Sequence, residues 1–266
     1  MSEQELLVEL KDRVAVLTLN RPERRNALST ILLVSLAIRL EELQKDSRIR
    51  CVIIKGEGDK AFSAGMDLTS IPSGVPDKLL KQIEAKGPLQ VACEAVEGSS
   101  LPVIAMIRGY ALGGGCELSL ACDLRVGSEN SRIGMPPARL GIVYPPEGLS
   151  RFIRNIGLAN AKQVFLTAKY FPAAEAYEIG LLNYVVPDKE LEAFTMELAE
   201  EMYTKRAPLS IAGMKRALNI LSKYEPPYQE EENEIYDLIG KALTSEDAVE
   251  AMTAFREKRD PEFKGR

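Results

Sequence analysis

The chain of 266 residues contains no histidine. This absence excludes a Ser-His-Asp triad, a Cys-His pair and every metal site that uses histidine. Any proton transfer must therefore be carried out by carboxylates, tyrosine, lysine or cysteine. The four cysteines, Cys51, Cys93, Cys116 and Cys122, form no CxxC pair. This pattern favours reduced, buried thiols in a cytoplasmic protein.

Long apolar runs and a strong positive charge are also missing. No run approaches the roughly 18 apolar residues of a membrane span. The acidic first segment lacks the basic and apolar regions of a secretory signal, so we expect none. The formal net charge is −5, which argues against nucleic acid as the main partner. A hydrophobic fraction of 45% predicts a sizeable core and no membrane partner.

The most informative stretch is Gly109–Asp123, with the sequence GYALGGGCELSLACD. It follows a β-branched run that predicts a buried strand, and Cys116–Cys122 after the three glycines predicts a helix. Such a turn leaves free backbone N–H groups at a helix N-terminus, and Glu117 lies in the first helical turn. Free donors beside an acid–base group suit a reaction through an oxyanion. The alternative is structural: the glycines allow close packing on a sheet, and Glu117 favours the helix dipole.

The glycine turn excludes two nucleotide-binding motifs. It is not a P-loop, because no Gly-Lys-Ser/Thr follows the glycines. It is not the dinucleotide fingerprint either, because the third glycine, counted from Gly113, would fall at Leu118. A phosphate-binding NTPase is therefore disfavoured.

Strand and helix patterns alternate over the first 186 residues, which predicts the α/β class. Ser29 is a suitable N-cap for a helix that runs to about Lys45. One helix is predicted from about Asp77 to Glu97. Ser131–Pro146 is predicted to be a long loop that its four prolines stiffen. The further predicted helices are Glu147–Asn155, Ala159–Thr167, Ala173–Ile179, Lys189–Lys205, Leu209–Lys223, Gln229–Leu243 and Glu246–Arg259.

Five segments together resemble the crotonase superfamily, that of enoyl-CoA hydratase and isomerase. They are NRPERRNAL, AFSAGMDL, PVIAMIRGYALGGGCELSLACDLRV, AYEIGLLNYVV and FREKRDPEF, in that order and over nearly the whole chain. The resemblance implies a spiral core of repeated ββα units over residues 1–186, holding the acyl-CoA site. It implies that residues 187–266 form a helical region for oligomerisation and active-site covering. It further implies a homotrimer or hexamer and an acyl-CoA thioester substrate, with no metal or redox cofactor.

The resemblance also implies roles for individual residues. The N–H groups of Met66 and Gly114 would form an oxyanion hole for the thioester oxygen, and Glu117 matches the first of the two glutamates that the hydratases use. Asp67 is either a coenzyme A contact or a cap for the following helix. The residues that correspond to coenzyme A contacts of the family are Arg24, Arg25, Ala64, Asp67, Leu68, Phe255 and Lys258.

One position departs from the hydratase pattern. The second hydratase glutamate lies twenty positions after the first, and this chain has Pro137 there. Proline can neither accept nor donate a proton, so the usual two-carboxylate hydration lacks one group. Glu147 could replace it if the loop folds back, and it could equally be an exposed glutamate at a helix start.

The proline and its surroundings resemble the methylmalonyl-CoA decarboxylases of the same superfamily. The shared local pattern is M-x-P-x-x-L-G-x-x-Y, which ends here at Tyr144. This resemblance implies that Tyr144 orients a substrate carboxylate and that Glu117 helps to deliver a proton. The alternative for Tyr144 is a tyrosine that only packs under the prolines. We expect a decarboxylase of a short malonyl-type thioester. The alternatives are an enoyl-CoA hydratase or isomerase and, in another class, a non-catalytic acyl-CoA- or RNA-binding member.

Overall fold

The computed structural model describes residues 5–67, 77–140, 142–222, 234, 237, 240–241, 244–257, 259 and 261–266. The described strands are β1 (Leu6–Lys11), β2 (Val14–Leu19), β3 (Cys51–Gly56), β4 (Ala61–Ser63), β5 (Val103–Ile107), β6 (Tyr110–Leu112), β7 (Leu124–Ser128), β8 (Arg132–Gly134), β9 (Tyr170–Pro172) and β10 (Tyr184–Val186). The described α-helices are α1 (Thr30–Leu43), α2 (Asp77–Lys86), α3 (Pro88–Gly98), α4 (Gly114–Ala121), α5 (Pro146–Thr167), α6 (Ala173–Glu178), α7 (Leu191–Thr204), α8 (Pro208–Leu221) and α9 (Glu246–Glu257). The predicted α/β class is confirmed.

The strands form two sheets, and each repeating ββα unit of the chain contributes one strand to each sheet. The larger sheet has the order β1-β2-β3-β5-β7-β10, and the smaller has β4-β6-β8-β9. Each of the pairs β3–β4, β5–β6 and β7–β8 contributes its first strand to the larger sheet and its second to the smaller. One or two helices follow each pair. All pairings between these units are parallel. This arrangement is the predicted series of ββα units.

Both faces of the larger sheet are covered. Along β2, Ala15, Leu17 and Leu19 belong to one buried cluster, while Val14 and Val16 belong to another. The first cluster includes side chains of α1, α3 and α4, and the second includes side chains of α7. Since successive strand residues point to opposite faces, this explains why the strand is apolar throughout. Helix α7 is therefore packed on the same sheet as the rest of the core, and the predicted domain boundary after residue 186 stays a prediction.

Two predicted segments differ from the structure. The single helix predicted from Asp77 to Glu97 is divided into α2 and α3 at Gly87, whose φ is 82°. Pro88 then starts α3 at the position where a missing N–H is tolerated. The predicted loop Ser131–Pro146 contains β8 and a 3₁₀ turn over Pro137–Leu140.

Other predicted helix boundaries are confirmed. Ser29 caps α1, since its hydroxyl oxygen accepts a hydrogen bond from the amide of Leu32 at 3.0 Å. Within α5, Gly157 has non-helical angles (φ 75°, ψ 161°) between the two segments predicted as separate helices. The predicted helix Gln229–Leu243 lies largely outside the described residues. No described helix is long and apolar enough to cross a membrane.

Candidate active site

The glycine turn brings α4 close to the smaller sheet. Gly113 has a φ of 53°, and its amide donates to the carbonyl oxygen of Gly134 at 2.9 Å. A β-carbon added to Gly115 would lie 2.6 Å from the Cβ of Ser63 and 2.7 Å from its carbonyl oxygen. The structural alternative for the glycines is therefore true in part, because close packing requires Gly115.

The amides of Met66 and Gly114 meet at the start of α4. Leu28 exchanges backbone hydrogen bonds with the Gly65 carbonyl (2.8 Å) and the Asp67 amide (3.0 Å). Because successive N–H groups of an extended chain alternate in direction, the Met66 N–H points away from Leu28. A β-carbon added to Gly114 would lie 3.4 Å from the Met66 nitrogen. Neither amide has a backbone acceptor within the described ranges, so both remain available as donors, and their donation to one ligand oxygen stays a prediction.

Glu117 lies in the first turn of α4, and only 3% of the residue is exposed. Its Oε2 accepts a hydrogen bond from the hydroxyl of Tyr144. Its Oε1 accepts one from Nη1 of Arg151. Burial raises the pKa of Glu117, while the Tyr144 hydrogen bond and the Arg151 charge act in the opposite direction. Both carboxylate oxygens are therefore held, and the group has the raised pKa typical of catalytic acids and bases.

Tyr144 reaches Glu117 because Gly148, in the first turn of α5, has no side chain and leaves room for the tyrosine ring. A β-carbon added to Gly148 would lie 2.7 Å from Cδ1 of Tyr144 and 3.1 Å from Oε1 of Glu117. The ring of Tyr144 packs against Phe165, with centroids 5.5 Å apart. Burial and the Glu117 charge raise the pKa of Tyr144 far above its ordinary value, so the hydroxyl keeps its proton at physiological pH. The structure brings the predicted pair Glu117 and Tyr144 together.

Arg151 and Glu97 complete the cluster, and neither was predicted from the sequence. Arg151 is 1% exposed. Its Nε and Nη2 donate to the two carboxylate oxygens of Glu97, at 2.7 and 3.1 Å. Gln90 Oε1 lies 3.4 and 3.3 Å from the two terminal nitrogens of Arg151. A charged residue on the apolar face of a predicted helix, one turn after Gly148 and beside Phe152, is the signal that could have identified Arg151.

Glu147 and Pro137 are not members of this hydrogen-bonded cluster. Glu147 is exposed in the first turn of α5. No hydrogen bond or ion pair joins it to Glu117, Tyr144 or Arg151. Pro137 is buried in its 3₁₀ turn. The structure therefore brings one glutamate of the two predicted candidates, Glu117, together with Tyr144.

The predicted coenzyme A contacts that can be described lie around the loop before α1. Asp67 pairs with Arg24 at 3.3 Å and with Arg21, which was not predicted, at 2.8 Å. The exposed Arg25 accepts a hydrogen bond from the amide of Ala64 through its carbonyl oxygen, at 2.9 Å. Leu68, Lys258 and the side chain of Phe255 lie outside the described residues.

Replacement of Gly114 by alanine tests whether the space beside the two amides is used. The added methyl group would lie 3.1 Å from Met66 Cγ and 3.2 Å from Leu89 Cδ2. These flexible side chains can move, so we expect Gly114→Ala to fold and to lose turnover about tenfold or more, because the methyl group displaces a bound oxygen. Gly98→Ala is the control, since a β-carbon added there would have no neighbouring atom within 4 Å outside its own helix backbone and chain neighbours. If Gly114→Ala kept the same turnover as Gly98→Ala and the wild-type protein, a site at these amides would be contradicted.

Known proteins of similar sequence and fold match nearly the whole chain. The family model described as enoyl-CoA hydratase/isomerase matches residues 9–266. Short-chain-enoyl-CoA hydratase of Clostridium acetobutylicum is 36% identical over 98% of each chain. Methylmalonyl-CoA decarboxylase of Escherichia coli is 34% identical over 100% of each chain. The crystal structure of enoyl-CoA hydratase from Bacillus anthracis superimposes with a TM-score of 0.87 and 33% identity, over 99% of this chain and 100% of that one.

Proposed function

Because the chain belongs to the enoyl-CoA hydratase/isomerase family, the crotonase superfamily, we propose that it decarboxylates a short malonyl-type acyl-CoA thioester such as methylmalonyl-CoA. Membership of this family makes the chain an acyl-CoA enzyme of the crotonase superfamily. The decarboxylase proposal is supported mainly by one contact, the hydrogen bond between the Tyr144 hydroxyl and Glu117. The sequence supports it too, because Pro137 stands where the resemblance places the second hydratase glutamate.

The first step needs the two amides and no base. The thioester oxygen accepts hydrogen bonds from the N–H groups of Met66 and Gly114. When the bond between the α-carbon and the carboxylate breaks, its electron pair remains on the substrate and carbon dioxide leaves. The charge is shared between the α-carbon and the thioester oxygen, where the two N–H donors stabilise it. Removal of one such donor costs roughly 3–4 kcal/mol of transition-state stabilisation in well-studied enzymes.

The second step needs one proton at the α-carbon. Tyr144 gives its hydroxyl proton to the carbanion, and protonated Glu117 replaces it, with Glu117 as the donor of their shared hydrogen bond in this step. Glu117 then takes a proton from water, so the thioester carboxylate and one proton yield carbon dioxide and the saturated thioester. In the active form of the enzyme, Tyr144 and Glu117 are therefore both protonated. Because burial raises the pKa of Glu117, kcat/KM is expected to fall as pH rises through that raised pKa.

Coenzyme A recognition by the loop residues Arg24, Arg25, Ala64 and Asp67 belongs to the same proposal. Both arginines are exposed and can approach phosphate groups, which guanidinium groups bind well. No metal ion or redox cofactor takes part in the proposed steps, and coenzyme A enters only as part of the substrate. A homotrimer or hexamer in the cytoplasm is proposed from the family resemblance.

The second candidate is an enoyl-CoA hydratase. It is favoured by relatives that are hydratases by name, such as 2,3-dehydroadipyl-CoA hydratase of Escherichia coli, which is 35% identical over 98% of this chain and 99% of the relative. In that reaction Glu117 would have to be ionised to activate water. Hydration would therefore rise with pH through the pKa of Glu117, which is opposite to the decarboxylase expectation.

Product masses distinguish the two candidates. The protein is incubated separately with methylmalonyl-CoA and with crotonyl-CoA, and the thioesters are weighed by mass spectrometry. Loss of the mass of carbon dioxide from the first supports the decarboxylase. Gain of the mass of water by the second, with no change in the first, would show that the hydratase assignment is the right one.

Removal of the Tyr144 hydroxyl is the sharper test of the decarboxylase. We expect Tyr144→Phe to keep its packing on Phe165 and to lose about 10²-fold in decarboxylation, as for other positioned proton donors. The rate is measured as carbon dioxide released. Tyr177→Phe is the control, because Tyr177 is an exposed tyrosine on α6. Wild-type turnover of Tyr144→Phe would assign Tyr144 the packing role alone.

A further inference from the structure

We propose that Arg151, itself held by Glu97, is a positioning residue that orients Glu117 and Tyr144 and controls whether Glu117 carries a proton. The inference deepens the proposed function and rests on it only in taking Glu117 as an acid–base group. Arg151 is assigned no contact with substrate. It acts through the carboxylate of Glu117.

The orientation argument comes from the shape of the guanidinium group. Nη1 of Arg151 binds Oε1 of Glu117, while Nε and Nη2 bind Glu97 on the neighbouring helix α3. A planar group with donors on two edges can hold Glu97 in a bidentate pair and Glu117 at the same time, and an ammonium group lacks this planar, bidentate geometry. With Oε1 occupied, Oε2 is the oxygen that accepts from Tyr144. Arg151 therefore fixes the orientation of the Glu117 carboxylate, with one oxygen on the guanidinium group and the other on the tyrosine hydroxyl.

The charge argument comes from the groups around Glu117. Helix α3 contributes Glu97 and the thiol of Cys93, α5 contributes Arg151, and the loop before α5 contributes Tyr144. Burial raises the pKa of Cys93 well above its ordinary value, and that of Tyr144 is raised as well, so both are neutral. Within the described part of the chain, Arg151 is therefore the cation in direct contact with Glu117, and Glu97 is a second anion nearby. Arg151 favours the ionised form of Glu117, and Glu97 opposes it.

Glu97, the second carboxylate bound by Arg151, is partly exposed to solvent. A quarter of its side chain is exposed (26%), and Arg154 lies 3.6 Å from it. Arg154 is one helical turn beyond Arg151 and contacts Glu97 without contacting Glu117. These two arginines share a neighbour and differ in access to Glu117. Arg154 therefore provides a matched control for the role of Arg151.

The expected result is a pair of opposite shifts in the pH profile. In Arg151→Gln the hydrogen bonds can partly remain but the charge is lost, so the limb of kcat/KM that reports Glu117 moves to higher pH. In Glu97→Gln the opposing anion is lost, and the same limb moves to lower pH. We expect kcat of Arg151→Gln to fall about tenfold to 100-fold, because a displaced acid–base group reacts poorly. Arg151→Lys restores the charge, so its limb returns towards the wild-type position while kcat recovers only in part.

The controls separate this role from a purely structural one. Thermal unfolding followed by circular dichroism shows which variants fold, and Arg154→Gln is expected to leave the position of the limb unchanged. A folded Arg151→Gln enzyme with a wild-type limb would overturn the inference. If Arg151→Gln does not fold, Glu97→Gln decides, and a limb that stays in place would overturn it equally.

Failure of the proposed function gives a different signal. A decarboxylase loses activity as pH rises through the limb, whereas a hydratase gains activity there. The direction of the limb therefore tests the reaction, and its displacement in the variants tests the role of Arg151. A limb that ascends with pH but still moves in opposite directions in Arg151→Gln and Glu97→Gln contradicts the decarboxylase and supports the positioning role.

Discussion

Glu117→Gln is expected to fold and to lose about 10²–10⁴-fold in kcat, the range typical of a general acid or base. Glutamine has almost the same shape as glutamate, and its amide oxygen can still accept from Arg151 or from Tyr144. It cannot release and recover a proton, which both candidate reactions require of Glu117. Turnover is measured with methylmalonyl-CoA and with crotonyl-CoA, and thermal unfolding is measured alongside. Loss of whichever of the two activities the wild-type protein shows, in a folded variant, is the expected outcome.

The other predicted carboxylate supplies the control. Glu147 is exposed at the start of α5, and no hydrogen bond joins it to the cluster. We expect Glu147→Gln to retain wild-type turnover. The reverse pattern, with Glu147→Gln inactive and Glu117→Gln active, would make Glu147 the acid–base group and reduce Glu117 to a buried ion-pair partner of Arg151.

Local signals in the sequence were sufficient for much of the fold. Ser29 alone predicts the N-cap of α1, because a serine hydroxyl can accept a hydrogen bond from the amide three residues later in the chain. Gly157 interrupts α5 between two apolar segments that were recognised separately. The glycine turn before α4 was predicted as a strand-to-helix connection, although the helix begins two residues before the predicted Cys116, at Gly114.

Features that depend on pairing partners were missed. The short strand β8 has only three residues, and its pairing with β6 and β9 stabilises it rather than its own pattern. The break at Gly87 was missed because the apolar spacing on its two sides reads as one ragged helix. A proline after a glycine is compatible with both a kink and a new helix start, and packing decides between them.

The site was predicted as far as the family resemblance carried it. Glu117 and Tyr144 are 27 residues apart, and the resemblance predicts both as residues of one site. The structure joins them by a hydrogen bond. Arg151 and Glu97 are 54 residues apart, and no periodic pattern relates them. Their contact arises only when α3 and α5 both pack around α4, so a single sequence offers no direct signal of it.

Lys215 on α8 is another buried cation, and its ion pair with Asp123 is expected to contribute strongly to stability. Its Nζ donates to the carbonyl oxygens of Val96 (3.1 Å) and Leu101 (2.9 Å) and to Oδ2 of Asp123 (2.8 Å). All three ammonium hydrogens are therefore used. These bonds connect α8 to the end of α3, next to Glu97, and to the segment that follows α4.

Lys215→Met should lower the free energy of unfolding by about 3 kcal/mol. This is the low end of the effect of breaking a buried ion pair, because 26% of the Asp123 side chain stays exposed. Methionine fills a similar volume, so the loss reports the missing charge and donors rather than a cavity. Urea unfolding near neutral pH measures it as a lower midpoint with an unchanged slope. Lys205→Met is the surface control, since Lys205 forms an exposed pair with Glu201 one turn away. It should change stability by less than about 0.5 kcal/mol.

The pH dependence of the same variant identifies the cause. Burial raises the pKa of Asp123 and the Lys215 charge opposes this, so removal of the lysine raises that pKa further. The folded variant then binds a proton more tightly than the unfolded chain, and its free energy of unfolding falls as pH rises through this range. The deficit relative to wild type should therefore be largest near neutral pH and smaller in mild acid. The double variant Lys215→Met with Asp123→Asn removes the uncompensated charge and keeps an oxygen for the Val103 amide, so it should recover part of the loss. A deficit that is equal at both pH values and in the double variant would assign the effect to the two lost carbonyl contacts instead.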